Sequence, residues 1–171
     1  MNRFLAIASN RWTRLVLVVL GLLGLQTTLL SELRPFGVML PLMLLFAVAT
    51  GAVHGSEVGA ISGLVVGAMY DCVLTTPFGL ASLVIGTAGS IAGLLPYFVR
   101  EPTWWSRALV IAAVSAIGES MFPFALWTVG LDGWLQPHVW WIAAVVVLFT
   151  GMLAPLFVPL CRWTLHEPVR T

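Results

Sequence analysis

Between Gly51 and Asp71, glycine returns at every fourth residue, at Gly51, Gly55, Gly59, Gly63 and Gly67, and the same step then reaches Asp71. On a helix advancing about 100° per residue, Ala60, Gly63, Gly67 and Asp71 lie within roughly 80° of one another, opposite Val58, Ile61, Val65, Met69 and Cys72. One flank is smooth and the other bulky. Glycine inside a helix costs about 1 kcal/mol relative to alanine in water, so a row of it makes sense where a second helix backbone comes close, as in small-xxx-small packing between membrane helices. The acid that ends the row lies on the contact face and is a candidate functional group.

The rest of the chain has the composition such packing needs. Hydrophobic residues make up 60% of the 171, charged residues only 9%, and the mean hydropathy is +1.01. That places the chain among polytopic membrane proteins and leaves no room for a separate soluble domain. The apolar blocks are full helical runs rather than alternating ten-residue segments, so an all-α transmembrane bundle is expected in place of a β-barrel.

Six spans are predicted in one integral membrane domain covering residues 1–171, at about 15–30, 35–53, 57–74, 79–99, 107–129 and 139–160. Arg3, Arg11 and Arg14 precede the first apolar run, which lacks a small-x-small cleavage pattern and reads as an uncleaved helix. Pro35 suits the first turn of the second span, and Pro41 is expected to kink it. His54 to Ser56 is a tight turn, with Ser56 as cap and Glu57 at the positive end of the third helix dipole. Thr75, Thr76 and Pro77 reverse the chain. In the fourth span Gly79, Ser82, Gly86, Gly89, Ser90 and Gly93 share a second smooth face, so spans three and four should pack very closely; an intermolecular homodimer contact is the alternative use of the rows. In the fifth span Ala108, Ala112, Ser115, Ala116, Glu119 and Pro123 share a face, which turns Glu119 inward.

All eight basic residues are arginines. With six spans and both termini on one side, Arg3, Arg11, Arg14, Arg100, Arg107, Arg162 and Arg170 fall together and only Arg34 lies opposite. The positive-inside rule makes the crowded side cytoplasmic. Trp12, Trp104, Trp105 and Trp163 then form an inner belt and Trp127, Trp134, Trp140 and Trp141 an outer one.

Cys72 and Cys161 are predicted at opposite ends of their helices, too far apart for a disulfide. Neither they nor His54, His138 and His166 follow a metal-ligand spacing, and the histidines read as interfacial bystanders. There is no phosphate loop, dinucleotide fingerprint, GxSxG or HExxH, and no basic nucleic-acid surface, so neither an enzyme nor a cofactor is indicated. The chemistry rests on the two intramembrane acids, Asp71 and Glu119, at similar depths along their helices. They could share a proton as a carboxyl pair, or each could be satisfied locally; Arg34, the lone outer cation, is the expected partner of Asp71.

The run ELRPFGVMLPLMLLF, the run EVGAISGLVVGAMYDCVLTTPFGLASLVIGTAGSIAG and the closing GMLAPLFVPLCRW resemble the MreD family of rod shape-determining proteins. The specific part is the row Gly59, Gly63, Gly67, Asp71 followed by a turn and Gly79. Phe36 and Gly37 depart from the family pattern, where polar residues often follow the Arg-Pro pair. The resemblance implies a non-enzymatic scaffold or regulator in the bacterial inner (cytoplasmic) membrane. As a part of the cell-elongation machinery it would bind MreC and couple MreB filaments to peptidoglycan synthesis by RodA and its class B penicillin-binding protein. Gly59, Gly63, Gly67, Asp71, Gly79, Gly86, Gly93, Glu119 and Arg34 would carry its structural and partner-coupling roles. The family fold is similar to that of the S components of energy-coupling-factor vitamin transporters, which supply the alternative function. Short outer loops poor in hydrogen-bonding groups favour the scaffold.

Cysteine-scanning accessibility tests the topology. Positions 3, 100–107 and 170 are expected to be shielded from an external thiol reagent and the loop around Asp132 to be labelled; external labelling of the 100–107 loop would overturn the assignment.

Overall fold

The structure, a computed structural model, describes residues 11–33, 40–73, 77–98, 103–130 and 138–165. Within them the chain is all helical. The helices are α1 (Arg11–Leu33), α2 (Leu42–His54), α3 (Ser56–Asp71), α4 (Leu80–Ala92), α5 (Trp104–Thr128) and α6 (His138–Leu165), with a single helical turn at Leu95–Phe98. Two stretches, Trp104–Thr128 and Trp141–Leu165, are long and apolar enough to cross a membrane; Trp12–Thr28, Leu42–His54 and Leu80–Ala92 are apolar but shorter.

The centre of the molecule is α2. Every residue from Leu42 to Ala52 is buried, and the helix touches all five others. A helix apolar all round has no face to offer to solvent and goes to the middle. At 13 residues it measures only about 20 Å, but its neighbours shield its backbone along that length. Outward-facing side chains are also apolar: Leu83, Leu109, Leu148, Met152 and Leu156 are all largely exposed. This is a bundle with an apolar outside as well as an apolar inside.

Several helix boundaries differ by a few residues from those read from the sequence, and three of the differences have a local cause. Pro41 stands before α2 as its N-cap instead of kinking its interior, because a proline that cannot donate a hydrogen bond is accommodated at a helix start. Ser56 makes no capping hydrogen bond. Gly55 is the N-cap of α3, at φ 96° and ψ 175°, a backbone region open almost only to glycine, and one such residue turns the chain between α2 and α3. Helix α4 stops at Ala92, and the chain continues through Gly93 into the short turn at Leu95–Phe98. Pro35, Thr75, Thr76, Phe36 and Gly37 lie outside the described residues.

The glycine row is where three backbones converge. A Cβ on Gly51 or on Gly59 would strike the carbonyl oxygen of Gly89, and one on Gly89 would come within 2.5 Å of the Gly59 carbonyl oxygen, so α2, α3 and α4 meet at this triad. Further along the α3–α4 contact, a Cβ on Gly63 would lie 2.7 Å from the Ile85 carbonyl oxygen and 2.8 Å from Gly86 Cα, and one on Gly67 would run into Ser82 Cα. At the far end Gly93 abuts the backbone of Ser56. Gly86 differs from the rest: its Cβ would meet the tip of the Leu64 side chain at 3.0 Å, which can move.

Substitutions should therefore divide by what they meet. Gly63→Leu or Gly67→Leu is expected to cost at least about 3 kcal/mol or to abolish folding, because backbone cannot make room, whereas Gly86→Ala should stay within about 1 kcal/mol of the parent. Graded SDS unfolding of the detergent-purified chain measures both, and equal losses for Gly67→Leu and Gly86→Ala would contradict the geometry.

Candidate functional site

The row of glycines delivers Asp71 to the start of α4. Asp71 closes α3 and is 4% exposed, and its carboxylate receives four hydrogen bonds from the next helix. The N–H of Gly79 and the N–H of Ser82 donate to Oδ2, each at 3.0 Å, the Ser82 hydroxyl donates to the same oxygen at 2.9 Å, and the N–H of Ala81 donates to Oδ1 at 3.0 Å. These groups include N–H donors from the first turn of α4, which have no partner within the helix. The helix dipole adds a positive field where the carboxylate sits. Gly79, at φ 100°, takes the left-handed conformation that swings its N–H toward the acid. Gly79, the N-cap, has no side chain with which to cap α4; an acid from the preceding helix does so.

The neighbouring helix start is treated in the same way. Gln26 of α1 is buried, accepts the N–H of Met43 on its Oε1 at 3.1 Å, and donates from Nε2 to the Tyr70 hydroxyl at 3.1 Å. One amide thus ties the first turn of α2 to the last turn of α3. Glu119 of α5 is half-buried. Sequence reading passed over Gln26 and Tyr70; the signal was a single amide in the apolar run LLGLQTTLL and a phenol directly before the acid.

Among the described residues no hydrogen bond joins Asp71 to Glu119. The shared-proton pair is thus replaced by a separate setting for Asp71 on the start of α4. The physical reason is that four donors already converge on the Asp71 oxygens, which offer about four lone-pair sites. Arg34 lies outside the described residues, and with it the predicted ion pair. Of the other singled-out positions, Gly59, Gly63, Gly67 and Gly93 sit at backbone contacts, Gly86 against Leu64, and Gly79 at the turn under Asp71.

At the other end of the bundle, α6 is fastened to α2. The Thr50 hydroxyl lies 3.4 Å from the Cys161 sulfur and donates to the Phe46 carbonyl at 2.8 Å, and His54 Nε2 lies 3.1 Å from the Cys161 carbonyl oxygen. His54 is therefore a tether between helices and not the bystander its interfacial position suggested. Cys72 and Cys161 are both free thiols, the first exposed and the second buried.

A family model described as the rod shape-determining protein MreD matches residues 8–164. The chain belongs to the MreD family. Membership implies a role in determining rod cell shape, in a family that is generally non-enzymatic. With its apolar helices, it also points to an integral membrane protein. No curated protein and no solved structure is found to match the chain. The segment that carries the family resemblance in the sequence, Gly59 to Gly79, is the segment whose backbone contacts and carboxylate cap close α3 onto α4.

Removing the carboxylate leaves buried N–H groups without acceptors. Asp71→Ala is expected to lower stability by about 3 kcal/mol, Asp71→Asn by about 1–2 kcal/mol because one acceptor oxygen remains, and Ser82→Ala by about 1 kcal/mol. An Arg34→Gln change should cost no more than about 1 kcal/mol if the cap dominates. Unfolding titrations give the ranking, and an Arg34→Gln loss as large as that of Asp71→Ala would restore the ion pair as the main partner.

Proposed function

We propose that this chain is a non-enzymatic scaffold of the cell-elongation machinery, set in the bacterial inner membrane with six spans and both termini in the cytoplasm. It binds MreC and couples MreB filaments, indirectly, to the peptidoglycan synthase formed by RodA and its class B penicillin-binding protein. The observation that carries this reading is the family match over 8–164, together with the coincidence of the family's most specific motif and the rigid α3–α4 junction. A scaffold needs a part whose shape does not drift, and backbone packed on backbone supplies one. Gly59, Gly63, Gly67, Asp71, Gly79, Gly86 and Gly93 would act in partner coupling by fixing the shape of that pair, with Glu119 and Arg34 as further coupling positions. The likeness to S components of vitamin transporters belongs to the same proposal at the level of architecture.

Copurification in mild detergent from native membranes tests it. An MreC homologue is expected to come down with the tagged chain and to be lost with Gly67→Leu, and depletion of the chain in a rod-shaped host should give rounded cells. A stoichiometric bound vitamin and no MreC would reverse the reading.

A further inference from the structure

The bundle has a second polar feature, remote from Asp71 and Glu119. Between the first turn of α5 and the C-terminal part of α6 lies a cavity of about 320 Å³. Its lining combines Arg107 and Arg162 with Trp104 and the apolar side chains of Ala108, Ala154 and Val158. The two guanidinium groups are close enough to act on one another, yet neither has an acidic partner among the described residues. Arg107 Nε is buried and lacks a hydrogen-bond partner among the described residues. Two like charges lining one cavity, with a buried N–H donor unmatched among the described residues, are an arrangement that an anion completes.

The surroundings narrow the anion. Trp104, Trp105 and Trp163 are all largely exposed at this end of the bundle, and Arg14 lies with its guanidinium carbon 5.7 Å from the Trp163 ring centroid. Tryptophans of this kind sit at the headgroup level of a bilayer. A cavity at that level lined by both guanidinium-bearing and apolar side chains matches a group that is itself anionic at one end and apolar at the other. A carboxylate from a protein partner would satisfy the arginines but leave Ala108, Ala154 and Val158 without a counterpart. A zwitterionic headgroup would bring its own ammonium toward two cations.

We propose that this cavity binds the phosphate of an anionic membrane lipid, with Arg107 and Arg162 as the clamp and Ala108, Ala154 and Val158 against its glycerol and first methylenes. The inference uses the membrane reading above and none of the partner assignments.

The test uses the full chain, purified and delipidated in detergent, and offers it phosphatidylglycerol, phosphatidylethanolamine with the same acyl chains, or inorganic phosphate. Native mass spectrometry should retain one phosphatidylglycerol at a concentration about tenfold lower than is needed for phosphatidylethanolamine, and the wild-type melting temperature should rise only with the former. Arg107→Gln and Arg162→Gln should each weaken that binding about tenfold, and the double variant should treat the two lipids alike. Ala108→Trp, which fills the cavity and keeps both arginines, should remove the bound lipid, and it serves where an arginine variant fails to fold. Equal retention of both lipids by the wild type, or unchanged phosphatidylglycerol binding in folded Arg107→Gln and Arg162→Gln, overturns the proposal. Stabilisation by millimolar inorganic phosphate as large as that by phosphatidylglycerol would overturn the lipid as the source. Loss of MreC copurification in both arginine variants with lipid binding unchanged would assign the cations to a protein carboxylate and overturn it as well.

Discussion

Backbone contact without intervening side chains is the constraint on which this structure turns. Gly51, Gly59 and Gly89 bring α2, α3 and α4 so close that a single Cβ at any of the three would collide with main-chain atoms. Where helices can approach this far, dispersion between main chains takes over the work that side-chain interdigitation does elsewhere. That kind of contact is stiff, because backbone has no rotamers to shift. It also sets the order of the bundle: α2 can be central only because two of its neighbours lie almost flush against it.

Close packing creates a second problem, which the polar groups solve. The starts of α2 and α4 lie in apolar surroundings, and their first N–H groups need acceptors. Both acceptors come from other helices, Gln26 of α1 for α2 and Asp71 of α3 for α4. Such caps do two jobs at once, since each satisfies a helix end and fixes the helix that donates the side chain. Asp71 in particular makes the α3–α4 turn depend on a residue at the last position of the smooth face, so that glycine row and acid form one device. At the opposite end side chains join helices without capping one, through His54, Thr50 and Cys161.

The two ends of the bundle therefore differ in chemistry. One carries Gln26, Tyr70, Asp71 and Glu119, with the helix starts they serve. The other carries Arg14, Arg107 and Arg162 among exposed tryptophans, with two of the cations turned into a cavity. An acid-and-amide end opposite an arginine end gives the bundle a polarity that an apolar bundle alone would lack.

Much of this was legible in the residues. Hydropathy gave an all-helical chain, the four-residue glycine spacing gave the α3–α4 face, and the motif from Gly59 to Gly79 gave the family, because each of these is a local or periodic property of one strand of sequence. What Asp71 binds was not legible: its partners are main-chain N–H groups, which every residue possesses and no sequence pattern marks, so an arginine seemed the natural counterpart. For the same reason Gln26, whose role depends on which helix start lies beside it, gave only a faint signal. The central place of α2, the tolerance of Gly86 beside the stringency of Gly67, and the turning of Arg107 and Arg162 into one cavity were decided by tertiary structure alone. Each depends on which surfaces of distant segments come to face one another, and helical periodicity fixes the direction of a side chain around its own axis but not what is waiting there.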